Sequence, residues 1–150
     1  MRFQKYRNQK VQHDGHSFAS KLEAAVYQLL KIREKAGEIE IVNHQDHVYL
    51  TQARINYIPD FRIFDHKLDD FVWVEAKGFE TPEWRIKKKL WGYYGPGHLQ
   101  IYRGSEKRVF LDETITLKET ELTIQCPSCN HKFNGGMCDL NSSVETLGTT

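Results

Sequence analysis

Residues 58–78 read IPDFRIFDHKLDDFVWVEAKG, and the fold turns on how this stretch pairs with itself. Two apolar runs flank a polar middle, HKLDD, so the stretch is expected to form two strands joined by a turn. Asp60 follows Pro59 in the first strand; the second is expected from Phe71 to Lys77, stopping before Gly78. Side chains alternate along a strand at about 3.3 Å per residue, so Glu75 and Lys77 share a face, roughly 6–7 Å apart. Closing the hairpin brings Asp60 opposite them. Two carboxylates and an ammonium then converge on one point. Carboxylate oxygens suit a hard cation such as Mg²⁺, which keeps several of its waters. The plainer alternative is a surface hairpin with a cross-strand ion pair.

Upstream, Ser20 opens the clearest helix, with Leu22, Ala25, Val26, Leu29 and Leu30 on one apolar face and Gly37 ending it after Ala36. Ser20 and Glu23 form a capping box, which accounts for the glutamate by local structure alone. Asp14-Gly15 marks a two-residue hairpin turn. Residues 2–10 mix aromatic and basic side chains, among them Lys5, Arg7 and Lys10, and either follow a nucleic-acid backbone or stay solvated. Between the helix and the hairpin, residues 38–57 read as strand, loop, strand. His44 and His47 are expected to be structural or solvated, and Asp46 is a weak third carboxylate candidate.

Downstream, Thr81 is the expected N-cap, with Pro82 at the first position of a helix that reaches Trp91 and is ended by Gly92, Gly95, Pro96 and Gly97. This helix carries Arg85, Lys87, Lys88 and Lys89, either to hold phosphates or as a solvated face. Strands are expected at 98–103, 108–111 and 115–124. The tail holds all three cysteines. Cys126 and Cys129 have the spacing of a zinc knuckle, Cys138 follows, and His131 is a possible fourth ligand. An odd cysteine count confined to one segment favours metal ligation or free thiols over a disulfide framework.

The 150 residues suit one domain with a small appendage: residues 1–124, a knuckle at 125–140 and a disordered tail at 141–150. No apolar run reaches the roughly 18 residues of a membrane span, and the N-terminus lacks the apolar core of a secretory signal. A cytoplasmic protein is therefore expected, in the host cytoplasm if phage-encoded. A formal net charge of +1 conceals segregation. Residues 1–35 carry eight Lys and Arg against three Asp and Glu, and residues 78–108 carry seven against three. The intervening residues 36–77 reverse the sign, with four against eight. Two basic blocks flanking an acidic centre suit a phosphate-binding groove with a metal at its floor.

Pro59-Asp60 followed by Glu75-Ala76-Lys77 resembles the PD-(D/E)XK nuclease superfamily. FASKLE, YIPDF, VWVEAKG and GFETPEWRIKKKL extend the likeness to small phage-type nucleases of that superfamily, including those that resolve Holliday junctions. The resemblance implies an α/β fold with a restriction-endonuclease-like central mixed sheet flanked by helices. It implies hydrolysis of DNA, with Glu23, Asp60, Glu75 and Lys77 as the catalytic set. Mg²⁺ or Mn²⁺ would be held by Asp60, Glu75 and the Ala76 carbonyl. A homodimer acting on branched DNA is the expected unit, because one chain has room for one site. A nicking or single-strand endonuclease, and a non-catalytic DNA-binding zinc module, are the alternatives. The cysteine tail lies outside the resemblance.

Overall fold

The computed structural model describes residues 10–118, 123–125 and 132–134. It divides into two compact units, Met1–Lys118 and Glu119–Thr150. In the first, a short hairpin, β1 (Val11–His13) and β2 (His16–Phe18), precedes helix α1 (Lys21–Lys35). Strand β3 (Ile39–His44) leads to a second small hairpin, β4 (Val48–Leu50) with β5 (Ile55–Tyr57). The central hairpin follows as β6 (Phe61–Asp65) and β7 (Asp70–Ala76). Helix α2 (Pro82–Tyr94) then crosses to β8 (His98–Ser105), and β9 (Arg108–Ile115) completes the sheet. Of the second unit the structure describes β10 (Thr123–Gln125) paired with β11 (Lys132–Asn134).

The sheet runs β3-β6-β7-β8-β9 and is mixed. Only β7 and β8 are parallel, because the α2 crossover returns the chain to the same end before β8 begins. The protein is thus a mixed α/β domain with a five-stranded sheet and two helices.

Alternation along β7 sends successive side chains to opposite faces and builds two cores. Val72 and Val74 join Phe61, Ile63 and Ile39 beneath Leu22, Val26 and Leu30 of α1. Trp73 instead joins Leu99, Ile101, Leu50 and Tyr57 against Trp84 and Trp91 of α2. Glu75 has the parity of Trp73 and so belongs to the α2 side.

Each helix starts where its cap predicts. Ser20 accepts the Glu23 amide at 3.1 Å, and Thr81 accepts the Trp84 amide at 3.2 Å. Helix α1 is capped at its end by Ala36, followed by Gly37 at φ +72°, as the sequence suggests. Helix α2 does not stop at Trp91. Gly92 is buried against Ile115, and the helix continues to Tyr94 before Gly95 closes it. Glycine there serves packing and is tolerated within the helix. The expected strands at 108–111 and 115–124 are also redrawn: β9 is continuous from Arg108 to Ile115, with one register shift opposite Ile101/Tyr102.

The turn of the central hairpin is anchored by Asp65. Its Oδ1 accepts the amides of Lys67 and Leu68 at 3.0 and 3.2 Å, and its Oδ2 meets Arg33 of α1 at 3.3 Å. Such an aspartate folds the turn onto its own side chain. The β1–β2 hairpin also has the expected turn, with Asp14 and Gly15 both at positive φ. His16 stacks on His44, their ring centroids 4.4 Å apart.

Candidate functional site

The site forms where β6 begins and β7 ends. The pairing Phe61↔Val74 fixes the hairpin, and continuing it by one residue sets Asp60 beside Glu75. The Ala76 amide donates to Asp60 Oδ2 at 2.7 Å, so the Asp60 carboxylate lies against the end of β7. Strand β7 itself ends at Ala76, one residue short of the expected Lys77. The Lys77 amide still donates to the Tyr102 carbonyl at 2.8 Å, which carries the alignment past the strand end. Its ammonium donates to Glu75 Oε1 at 3.1 Å.

Glu23 arrives from the first turn of α1. Its Oε2 accepts the Ala19 amide at 2.7 Å, so the residue does cap its helix. It is nevertheless only 5 % exposed and shares an electrostatic field with Asp60 and Glu75. All three carboxyls are pushed above their ordinary range. Burial is the leading cause at each, opposed at Glu23 by the Ala19 amide and at Glu75 by Lys77. At Asp60 the Glu75 charge is the next cause after burial, and the rise is large. Burial disfavours the ionised form, and neighbouring like charge adds to that.

Glu75 Oε2 is buried and has no hydrogen-bond partner. Tyr57 and Trp84 lie close enough to favour its ionised form. Their own hydrogen bond, however, is made to each other, from Trp84 Nε1 to the Tyr57 hydroxyl at 3.2 Å. A buried carboxylate oxygen without a donor is costly unless something else satisfies it. Among the described residues, no three His, Cys, Asp or Glu side chains gather closely enough to hold a metal between them. Mg²⁺ asks for less, commonly one or two carboxylates while keeping several waters. The hard-oxygen donors, their mutual repulsion and the orphaned Oε2 fit such an ion.

A cleft of about 340 Å³ opens at this point, lined by Glu75, Lys77, Tyr57, Thr81, Trp84 and Lys87 among others. The basic block of α2 divides around it. Lys87 lines the cleft and pairs with Glu83 at 3.2 Å. Lys88 pairs with Glu113 and Glu80, and Arg85 pairs with Glu80 at 3.2 Å. Lys89 is exposed, with no ion pair among the described residues. Asp46 is engaged by Arg62 at 3.0 Å. Lys10 is exposed; Lys5 and Arg7 lie outside the described residues, as do Cys126, Cys129, His131 and Cys138.

Sequence reasoning missed three contributors. They are Tyr57, Trp84 and Glu80, none of which the sequence marks as a site residue. Glu80 gathers Arg85, Lys88 and Arg103. No local pattern marks any of them, since their partners come from other elements.

Fold and site together define a mixed α/β domain with buried carboxylates and a lysine at the end of its central hairpin. The chain belongs to the family DUF1064, described as a protein of unknown function, whose profile matches residues 3–104. No curated protein and no solved structure matches significantly. Among the described residues no helix is long and apolar enough to cross a membrane.

Proposed function

We propose that the protein is a metal-dependent endodeoxyribonuclease of the PD-(D/E)XK type, with a restriction-endonuclease-like fold, acting on branched DNA. One observation carries the reading: Asp60, Glu75 and Lys77 meet at one strand end, and a buried Glu75 oxygen is left without a donor. In this reading Asp60, Glu75 and the Ala76 carbonyl hold Mg²⁺ or Mn²⁺. A divalent ion so held would supply Lewis acidity toward the phosphate and the attacking water. Lys77 orients the attacking water and offsets charge on the scissile phosphate. Glu75, paired to Lys77, fixes where that ammonium points. Glu23 shapes the field at the edge of the site while capping α1. Lys87, at the cleft wall, meets a neighbouring phosphate. Cutting both strands of a junction requires two such sites, hence a homodimer. In the tail, Cys126, Cys129, Cys138 and His131 hold a structural Zn²⁺ in this reading.

The deciding experiment incubates the protein with plasmid, single-stranded and four-way-junction DNA, each with Mg²⁺ or with EDTA. Metal-dependent cleavage led by the junction is expected, and Lys77→Ala should abolish it. Equal cutting of all three substrates removes the junction preference. Binding without cleavage in Mg²⁺ and Mn²⁺ removes the enzyme and leaves a DNA-binding module.

A further inference from the structure

Trp84 touches Lys77 and Tyr57, two residues that line the cleft of the proposed site. It is the third residue of α2, and its backbone amide is fixed by the Thr81 cap, so its side chain leaves the helix from a defined point. The indole is 4 % exposed and packs in the core on the α2 side of the sheet. The Lys77 ammonium stands 5.1 Å from the centre of its ring, within cation–π range. Its N–H donates to the Tyr57 hydroxyl.

That second contact matters because of what Tyr57 has left to give. Burial, and then the Glu75 charge, raise the Tyr57 phenol far above its ordinary range, so it stays protonated at any working pH. A phenol has one proton to donate and accepts through oxygen. The indole occupies an accepting position, which leaves the phenolic proton for another acceptor. Tyr57 and Glu75 line the same cleft. The Tyr57 ring is itself held edge-on against Trp91, 5.5 Å between centroids, so it has little freedom to turn elsewhere.

We propose that Trp84 is the positioning residue of this site: its N–H holds the Tyr57 hydroxyl at the cleft wall, and its ring holds the Lys77 ammonium in place. This rests on the nuclease reading for its consequence in catalysis, but the two contacts are testable without DNA or metal. Helix α2 thereby reaches the residue just past the end of β7 through one side chain, and Lys77 is held from two sides, by the Glu75 carboxylate and by the indole.

The test compares Trp84→Phe, which keeps a ring and loses the N–H, with Trp84→Leu, which loses both, and with Tyr57→Phe. In metal-free protein, NMR should show the Lys77 side-chain protons losing their ring-current shift in Trp84→Leu and keeping much of it in Trp84→Phe. The Trp84 indole N–H resonance should move in Tyr57→Phe, where the accepting hydroxyl is gone. In cleavage assays, Trp84→Leu should lower kcat roughly tenfold to a hundredfold, as small misplacements do, with little change in KM; Trp84→Phe should recover part of the loss. Unmoved Lys77 resonances in a folded Trp84→Leu variant, or an unmoved indole N–H resonance in a folded Tyr57→Phe variant, would overturn the proposal. If no variant and no wild type cleaves DNA, the nuclease reading fails, while the NMR shifts still decide the role of Trp84.

Discussion

Asp60→Asn is expected to stabilise the metal-free protein at pH 8 while removing cleavage. Asparagine keeps an oxygen that accepts the Ala76 amide, so the substitution removes charge and little else. The register sets Asp60 beside Glu75, and cross-strand neighbours stand about 5 Å apart at Cβ. At an effective dielectric near 20, two full charges at that separation repel by about 3 kcal/mol. Lys77 offsets part of this, leaving a gain on the order of 1–2 kcal/mol. For a domain of this size that raises Tm by roughly 3–8 °C. The sign follows from linkage. Burial and the Glu75 charge raise the folded pKa of Asp60 above its ordinary 3.8. The stability attached to the protonated group is therefore complete below about pH 3.8 and is lost as pH rises through the folded value. Wild type suffers that loss and the variant does not, so their Tm values should coincide near pH 3 and separate toward pH 8. Adding Mg²⁺ at a hundred times its Kd should restore about 2.7 kcal/mol to wild type and much less to the variant. Thermal melts followed by circular dichroism, across pH and with EDTA or Mg²⁺, measure all of this. An Asp60→Asn protein less stable than wild type at pH 8 in EDTA, or a pH-independent difference, refutes the argument.

Other substitutions separate the roles of neighbouring groups. Lys87→Ala should reduce the slope of log affinity for DNA against log salt by about one, because that lysine lines the cleft. Lys88→Ala should leave the slope unchanged, its ammonium being held by Glu80 and Glu113; salt titrations of both variants make the comparison. Gly104→Ala should cost more than about 2 kcal/mol, since φ is +122° and the new Cβ would fall on the Arg108 carbonyl oxygen; denaturant titration reads the loss. Elemental analysis of protein purified without added metal should find one zinc per chain, lost in Cys126→Ser and Cys129→Ser; zinc well below one per chain would count against the knuckle.

The central hairpin was legible because its physics is local. Alternation from Phe71 to Ala76 and the polar turn determine which side chains meet Asp60. Helix α1 was legible for the same reason, with its cap at Ser20 and Gly37 just beyond its end. The errors fall where distant residues decide. Gly92 looks like a stop until Ile115 is packed against it. Four cations on α2 look free until Glu80 and Glu113 arrive from outside the helix and claim two of them. Glu23 shows why a capping motif and a place at the site need not compete. The first turn of α1 lies near the strand ends, so a carboxylate bonded to Ala19 still raises the pKa of Asp60.

Asp65 and Asp60 stand at opposite ends of the segment containing β6, roughly 16 Å apart at strand rise. The turn that Asp65 clamps is therefore the datum from which the site is measured out. An extra residue among 66–69 must be swallowed there, or the whole of β7 turns over and delivers Glu75 to the α1 side. A lesion in this remote turn would silence the protein while every acidic group and the lysine remained in the chain. The clamp's own tie to Arg33 means that α1, too, has a hand on that measure.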